Sequence, residues 1–161
     1  MSDNTPIKRH PAIVSFSKDH HFGLLLVWKI RQGLKNSIDP ERISRYVLHA
    51  FKEEIEDHFK DEEQFLFSQL PANDNMRMQA ERDHHEIYEM ISDIRENRSN
   101  QILLNQMADA LEKHIRFEER DLFNYLQTHL GESELKEIEK RLPSSSKSCD
   151  EKWEDAFWLA N

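Results

Sequence analysis

The ten residues HFKDEEQFLF, beginning at His58, return 56 residues later as HIRFEERDLF, beginning at His114. The His, both Glu, the Leu and the final Phe keep their offsets, so in each copy a carboxylate stands four positions after the histidine. Residues i and i+4 of an α-helix lie on one face about one turn apart. His58 with Glu62, and His114 with Glu118, are therefore pairs of ligand-type side chains aimed in one direction. A second duplication precedes each copy, with DHH at Asp19 to His21 and again at Asp83 to His85. The chain reads as two helical hairpins of one plan, each contributing one DHH and one H-x-x-x-E.

Breakers and caps place the helices. Three Gly and five Pro in 161 residues, with 33% charged and 37% apolar residues, leave long uninterrupted stretches that favour helix over strand. Ser17 reads as the N-cap of a first helix running to about Lys35, and NSIDP breaks it. Asp39 then reads as N-cap and Pro40 as the first residue of a second helix reaching about Leu70. PANDN turns the chain into a third helix from about Asp74 to Arg95, and ENRSN leads into a fourth that Gly131 ends. A short charged helix, ESELKEIEKRL, follows. The expectation is an all-α, up-down-up-down four-helix bundle with a short extra helix over residues 1–142, then a linker and aromatic tail over 143–161.

Antiparallel neighbours bring the paired residues level. His20 lies 18 residues before the turn near Ile38 and His58 lies 20 after it. His84 and His114 each lie 15 from the turn near residue 99, and Glu62 and His84 each lie 11 from the turn near residue 73. Within each DHH the apolar stripe selects the inward histidine. His84 leads to Ile87, Met90, Ile91 and Ile94, a cleaner stripe than the one following His85. His20 is taken over His21 because it matches His84 in the repeat and because Gly23 leaves room one turn on. Four imidazoles and two carboxylates buried in one layer would cost on the order of several kcal/mol per unpaired charge, so a cation is expected among them. Glu63 and Glu119 read as surface residues or as supports behind the ligands. His10, His49 and His129 have no matched partners and receive no role.

The set His20, His58 with Glu62, His84, and His114 with Glu118 resembles the hemerythrin-like HHE cation-binding family over the four long helices. The resemblance implies a non-haem di-iron centre in the bundle core. The two glutamates would bridge the metals, the four histidines would be terminal ligands, and one position would stay open to O2 or another small molecule. Two departures stand out. Tyr88 occupies the place of a second third-helix histidine of oxygen carriers, where it is a ligand, a hydrogen-bond donor or core packing. The fourth-helix motif is H-x-x-x-E rather than H-x-x-x-x-D. Imidazole and carboxylate donors without thiolate suit Fe, Mn or Zn, and an open two-metal site favours iron. The function expected is binding or sensing of O2, NO or iron, with a di-iron peroxidase or oxidase, or an iron-donating repair protein, as the alternatives.

The remaining features limit partners and place. A net charge of −9 argues against nucleic acid. The opening MSDNTPIKRHP lacks an apolar leader core and no apolar run suits a bilayer, so a cytoplasmic protein with no membrane partner is expected. One cysteine, Cys149, fits a reducing compartment. In the tail CDEKWEDAFW, Trp153, Phe157 and Trp158 would share a face of a short helix docked on the bundle, with Cys149 packing near its start.

Overall fold

The structure, a computed structural model, describes residues 8–142 and 153–159, and the elements among them are all helical. Cys149 and the linker lie outside the described residues. Helix α1, Pro11–Lys35, starts well before Ser17. Pro11 has no N–H to satisfy at the first helical position, and His10 Nδ1 accepts from the Ala12 N–H at 3.1 Å. A histidine cap lies outside the usual capping set, which is why the Ser17 reading placed the start too late.

After a turn in which Ser37 adopts a left-handed φ of 57°, Asp39 caps α2, Pro40–Ala50. That helix continues without a break through a π-helical turn at Phe51–Ile55, α3 at Glu56–Asp61, a second π-turn at Glu62–Leu66 and a 3-10 turn at Phe67–Gln69. Asp74 caps α4, Asn75–Glu96, and Asn100 caps α5, Gln101–Phe117. A π-turn at Glu118–Leu122 joins α5 to α6, Phe123–His129. Gly131 does not close this rod with a left-handed residue. Its φ is −79°, and its N–H donates to Glu134 Oε2 at 3.0 Å at the start of α7, Glu132–Arg141. No helix of the described residues is long and apolar enough to cross a membrane.

Helix α1 packs on α5 and α2, and α4 packs on α5. The apolar core falls into two clusters. One gathers Leu26, Ile30, Val47, Ile55, Ile91 and Leu111 with their neighbours, and the other gathers Ile13, Phe16, Leu66, Phe67, Leu122 and Leu126. Along the rods, His20, Glu62, His84 and Glu118 fall between the members of the two clusters, and His58 and His114 stand at the inner edge of the first, next to Phe59 and Ile115, all six of them buried. A polar layer thus divides the core. Helix α7 adds Leu135 and Ile138 to the second cluster.

The tail closes the other cluster. Phe157 is buried against Gly33 of α1, where a methyl group would stand 2.9 Å from the Phe157 ring and 2.8 Å from Ile43 Cδ1. Arg42 donates twice to Asp155, at 2.6 and 2.9 Å. Trp153 stacks on His49 with ring centroids 4.6 Å apart, and the Lys29 ammonium sits 4.0 Å from the Trp158 ring centre. The short helix expected here is a single 3-10 turn, Phe157–Leu159, preceded by non-helical residues from Trp153. So short a helix is marginal by itself, and each aromatic instead finds its own site on α1 and α2.

Candidate metal centre

Glu62 and Glu118 each open a π-turn at equivalent points of the repeat. Such turns interrupt the regular helical ladder and are frequent at functional sites. Both carboxylates are fully buried. His20 and His84 are buried too, whereas His21 and His85 face solvent. The Nε2 atoms of the four inner histidines point at the two carboxylates. His20 and His114 lie 3.0 and 3.2 Å from Glu118 Oε1, His58 lies 3.3 Å from Glu62 Oε2, and His84 lies 3.1 Å from Glu62 Oε1. His84 Nε2 and His114 Nε2 approach to 3.1 Å. Two overlapping groups result, His20, His58, Glu62, Glu118 and Glu62, His84, His114, Glu118, each with one candidate ligand atom per residue, all within 4.8 Å of one another.

The other ring nitrogen of each histidine faces a carboxylate on an adjacent rod. His58 Nδ1 donates to Asp19 Oδ2 at 3.2 Å, His114 Nδ1 donates to Asp83 Oδ2 at 3.0 Å, and His20 Nδ1 donates to Glu119 Oε1 at 2.6 Å. His84 Nδ1 lies 3.4 Å from Glu63 Oε2. The pattern closes on itself. The first rod supports the second, the second the third, the third the fourth, and the fourth the first. For His20, His58 and His114 a carboxylate in this position favours the tautomer whose Nε2 presents a lone pair inward, whereas His84 Nδ1 faces Glu63 without a hydrogen bond.

Further contacts hold the supports. Glu119 forms an ion pair with Arg9 Nη1 at 2.6 Å and accepts from the Ser17 hydroxyl at 2.6 Å, and Tyr88 donates to Glu63 at 3.2 Å. Tyr88 packs against Phe51 and Phe59 and belongs to neither group of candidate ligands. Phe59 stacks on His84 at 3.8 Å, and Phe123 stacks on His20 at 5.4 Å.

The electrostatics describe a cluster that favours positive charge. Burial acts to lower His20, but Glu118 and Glu119 overcome it and raise the group to about 9. Burial likewise opposes His114, which Glu118 and Asp83 push up to about 10. His58 is also held well above its ordinary value, against burial, by Glu62 and Asp19. Glu118 is driven well below the usual carboxylate range because His114 and its other partners outweigh its burial. Without a metal the histidines attract protons beside an ionised Glu118, and a metal cation would replace those protons. His58 Nε2, Glu62 Oε2 and Glu118 Oε2 are buried and have no hydrogen-bond partner among the described residues. Inward-facing oxygen and nitrogen atoms left in this state fit a bound cation.

Asp19 and Asp83 are the residues the repeat displayed without disclosing their part, since both open a DHH. Replacing Asp83 by Asn keeps its shape but removes its charge, and weakens metal affinity by about 10- to 100-fold. Chelator competition measures this, with the solvent-facing His85→Ala as the control. Equal affinity in the wild type and Asp83→Asn would refute an orienting role.

The family described as Hemerythrin HHE cation binding domain matches residues 18–126. No curated protein and no solved structure matches the chain. The matched span contains all six inward residues, and the chain belongs to the hemerythrin HHE cation binding domain family.

Proposed function

We propose that the chain is a non-haem di-iron protein of hemerythrin type, an up-down-up-down bundle over residues 1–142 with a linker and docked tail over 143–161. It binds or senses O2 or NO in the cytoplasm. The observation that carries this reading is that Glu62 and Glu118 belong to both candidate groups of four. One ion would take His20 and His58, the other His84 and His114, with both glutamates shared. A carboxylate held in common offsets the repulsion between two cations, and donors of nitrogen and oxygen without thiolate suit iron.

Iron bound there would supply redox chemistry and a position for a diatomic ligand. The chain's own contribution is orientation and exclusion. Asp19, Glu63, Asp83 and Glu119 hold the imidazoles, while Phe59 and Phe123 cover ring faces and keep water from them. A second reading, a protein that delivers iron, draws on an acid-lined cavity beside His20 and His58.

Anaerobic reconstitution with ferrous iron tests the proposal. Two irons per chain are expected, with a visible absorption band that appears on exposure to air or NO and reverses when the gas is removed. One metal per chain, or two irons with no spectral response to either gas, would count against it.

A further inference from the structure

Beside the His20 and His58 half of the centre lies a cavity of about 10 Å³, room for roughly one water-sized group. Its lining includes Asp19, His20, Gly23, Glu54, His58 and Ile115. Glu54 is buried and is not an isolated charge, yet neither candidate group includes it. It stands four residues before His58 and eight before Glu62, so the three side chains form a ladder along one helical face.

The repeat shows that this feature is one-sided. Adding the 56-residue offset takes Glu54 to Ala110, and adding 83 − 19 = 64 takes Gly23 to Ile87. The π-turns point the same way. Two of them open with Glu62 and Glu118, whereas the third, Phe51–Ile55, carries Glu54 and corresponds to regular α5 at residues 107–111.

We propose that Glu54 and the cavity beside it form the path by which a divalent metal ion reaches and leaves the centre, with Glu54 as its intermediate oxygen ligand. The chemistry follows from the other walls. Ile55, Phe59, Leu111 and Ile115 offer an ion nothing in exchange for its hydration water, whereas a buried carboxylate supplies an oxygen ligand on the way to Glu118, which also lines the cavity. Asp19, half-buried at the outer side, supplies a second carboxylate. The opposite side of the centre has an acidic surface groove, lined by Asp83, Glu86 and Asp109, but it also carries Lys113. The proposal rests on the two-iron reading.

The test is the rate of ferrous iron uptake by the metal-free full chain, and of its release to a chelator, under argon. Glu54→Gln should slow both by about tenfold or more while the final iron content stays at the wild-type value. Glu54→Asp, which keeps the charge, should load nearly as fast as the wild type. A purely structural Glu54 would alter the melting temperature and leave the loading rate unchanged. Gly23→Ala narrows the same cavity from the other wall, since its methyl group would stand 2.7 Å from Ile115 Cδ1, and carries the same expectation should Glu54→Gln fail to fold. Native loading rates in the folded cavity variants, or equal slowing by Glu86→Gln, would overturn the path. A wild-type chain that binds fewer than two irons overturns the two-iron reading instead, and the rates then test the path for whatever metal is bound.

Discussion

Glu62→Ala is expected to empty both halves of the centre at once. Glu62 Oε2 serves the His58 side and Glu62 Oε1 the His84 side, so one truncation removes a donor from each. The loss extends beyond two contacts. With the shared carboxylate gone, the charges of neighbouring cations are offset by Glu118 alone, and buried imidazoles lose the anion that faces them. Iron measured by mass spectrometry should fall to near zero, and Glu118→Ala should do the same. Glu63→Ala is the informative comparison, because Glu63 faces the outer nitrogen of His84, at 3.4 Å, and the Tyr88 hydroxyl, belongs to neither candidate group, and is partly exposed. It should retain most of its iron, as should His21→Ala. One full equivalent retained by Glu62→Ala would show that the carboxylate is not shared. Equal loss in Glu63→Ala would place the wrong helical face inward.

Truncation after Ser148 should produce the largest change in stability with little change in metal. It uncovers Gly33 and Tyr46 and removes Phe157 from the core, where a fully buried aromatic contributes about 2 to 3 kcal/mol. The Arg42 and Asp155 pair is more than one-third exposed on both sides and adds little. A loss of about 3 kcal/mol in a domain of this size corresponds to a fall of about 6 to 12 °C in melting temperature. Phe157→Ala should reproduce most of that fall. Iron content should remain at the full-length value, because the described residues of the tail, 153–159, close the core cluster on one side of the polar layer. An unchanged melting temperature would remove the tail from the list of structural elements.

How much of the fold and the site is legible in the sequence follows from the range over which each interaction acts. H-x-x-x-E declares its geometry within one helix, and the stripe after His84 orients that residue without reference to a neighbour. The ends at Asp39, Asp74 and Asn100 also rest on local capping chemistry. Interactions between rods were harder to see. Asp19 lies beside a predicted ligand in sequence but supports His58 on another rod, which depends on how two helices rotate against each other. Helical period contains nothing of that rotation. The π-turns were invisible for a related reason, since a displaced hydrogen-bond ladder leaves no compositional mark. The tail's aromatics signalled burial, whereas their separate sites on Gly33, His49 and Lys29 depended on the surface already assembled beneath them.

The closed ring of supporting carboxylates bears on how such a chain can arise. Within the first hairpin alone, Asp19 has His58, but Glu63 has no histidine to hold and His20 has no carboxylate behind it. The second hairpin supplies both missing partners, through His84 and Glu119. Exchanging every residue for its repeat equivalent turns Asp19 with His58 into Asp83 with His114, and Glu63 with His84 into Glu119 with His20. The ring is therefore unchanged by the exchange. Two identical copies of one hairpin, related by a twofold axis, would satisfy every link that the single chain now satisfies. A duplicated and fused ancestor would inherit a complete set of supports from its first generation. Later changes such as Glu54 opposite Ala110 and Gly23 opposite Ile87 could then make the two halves unequal without opening the ring.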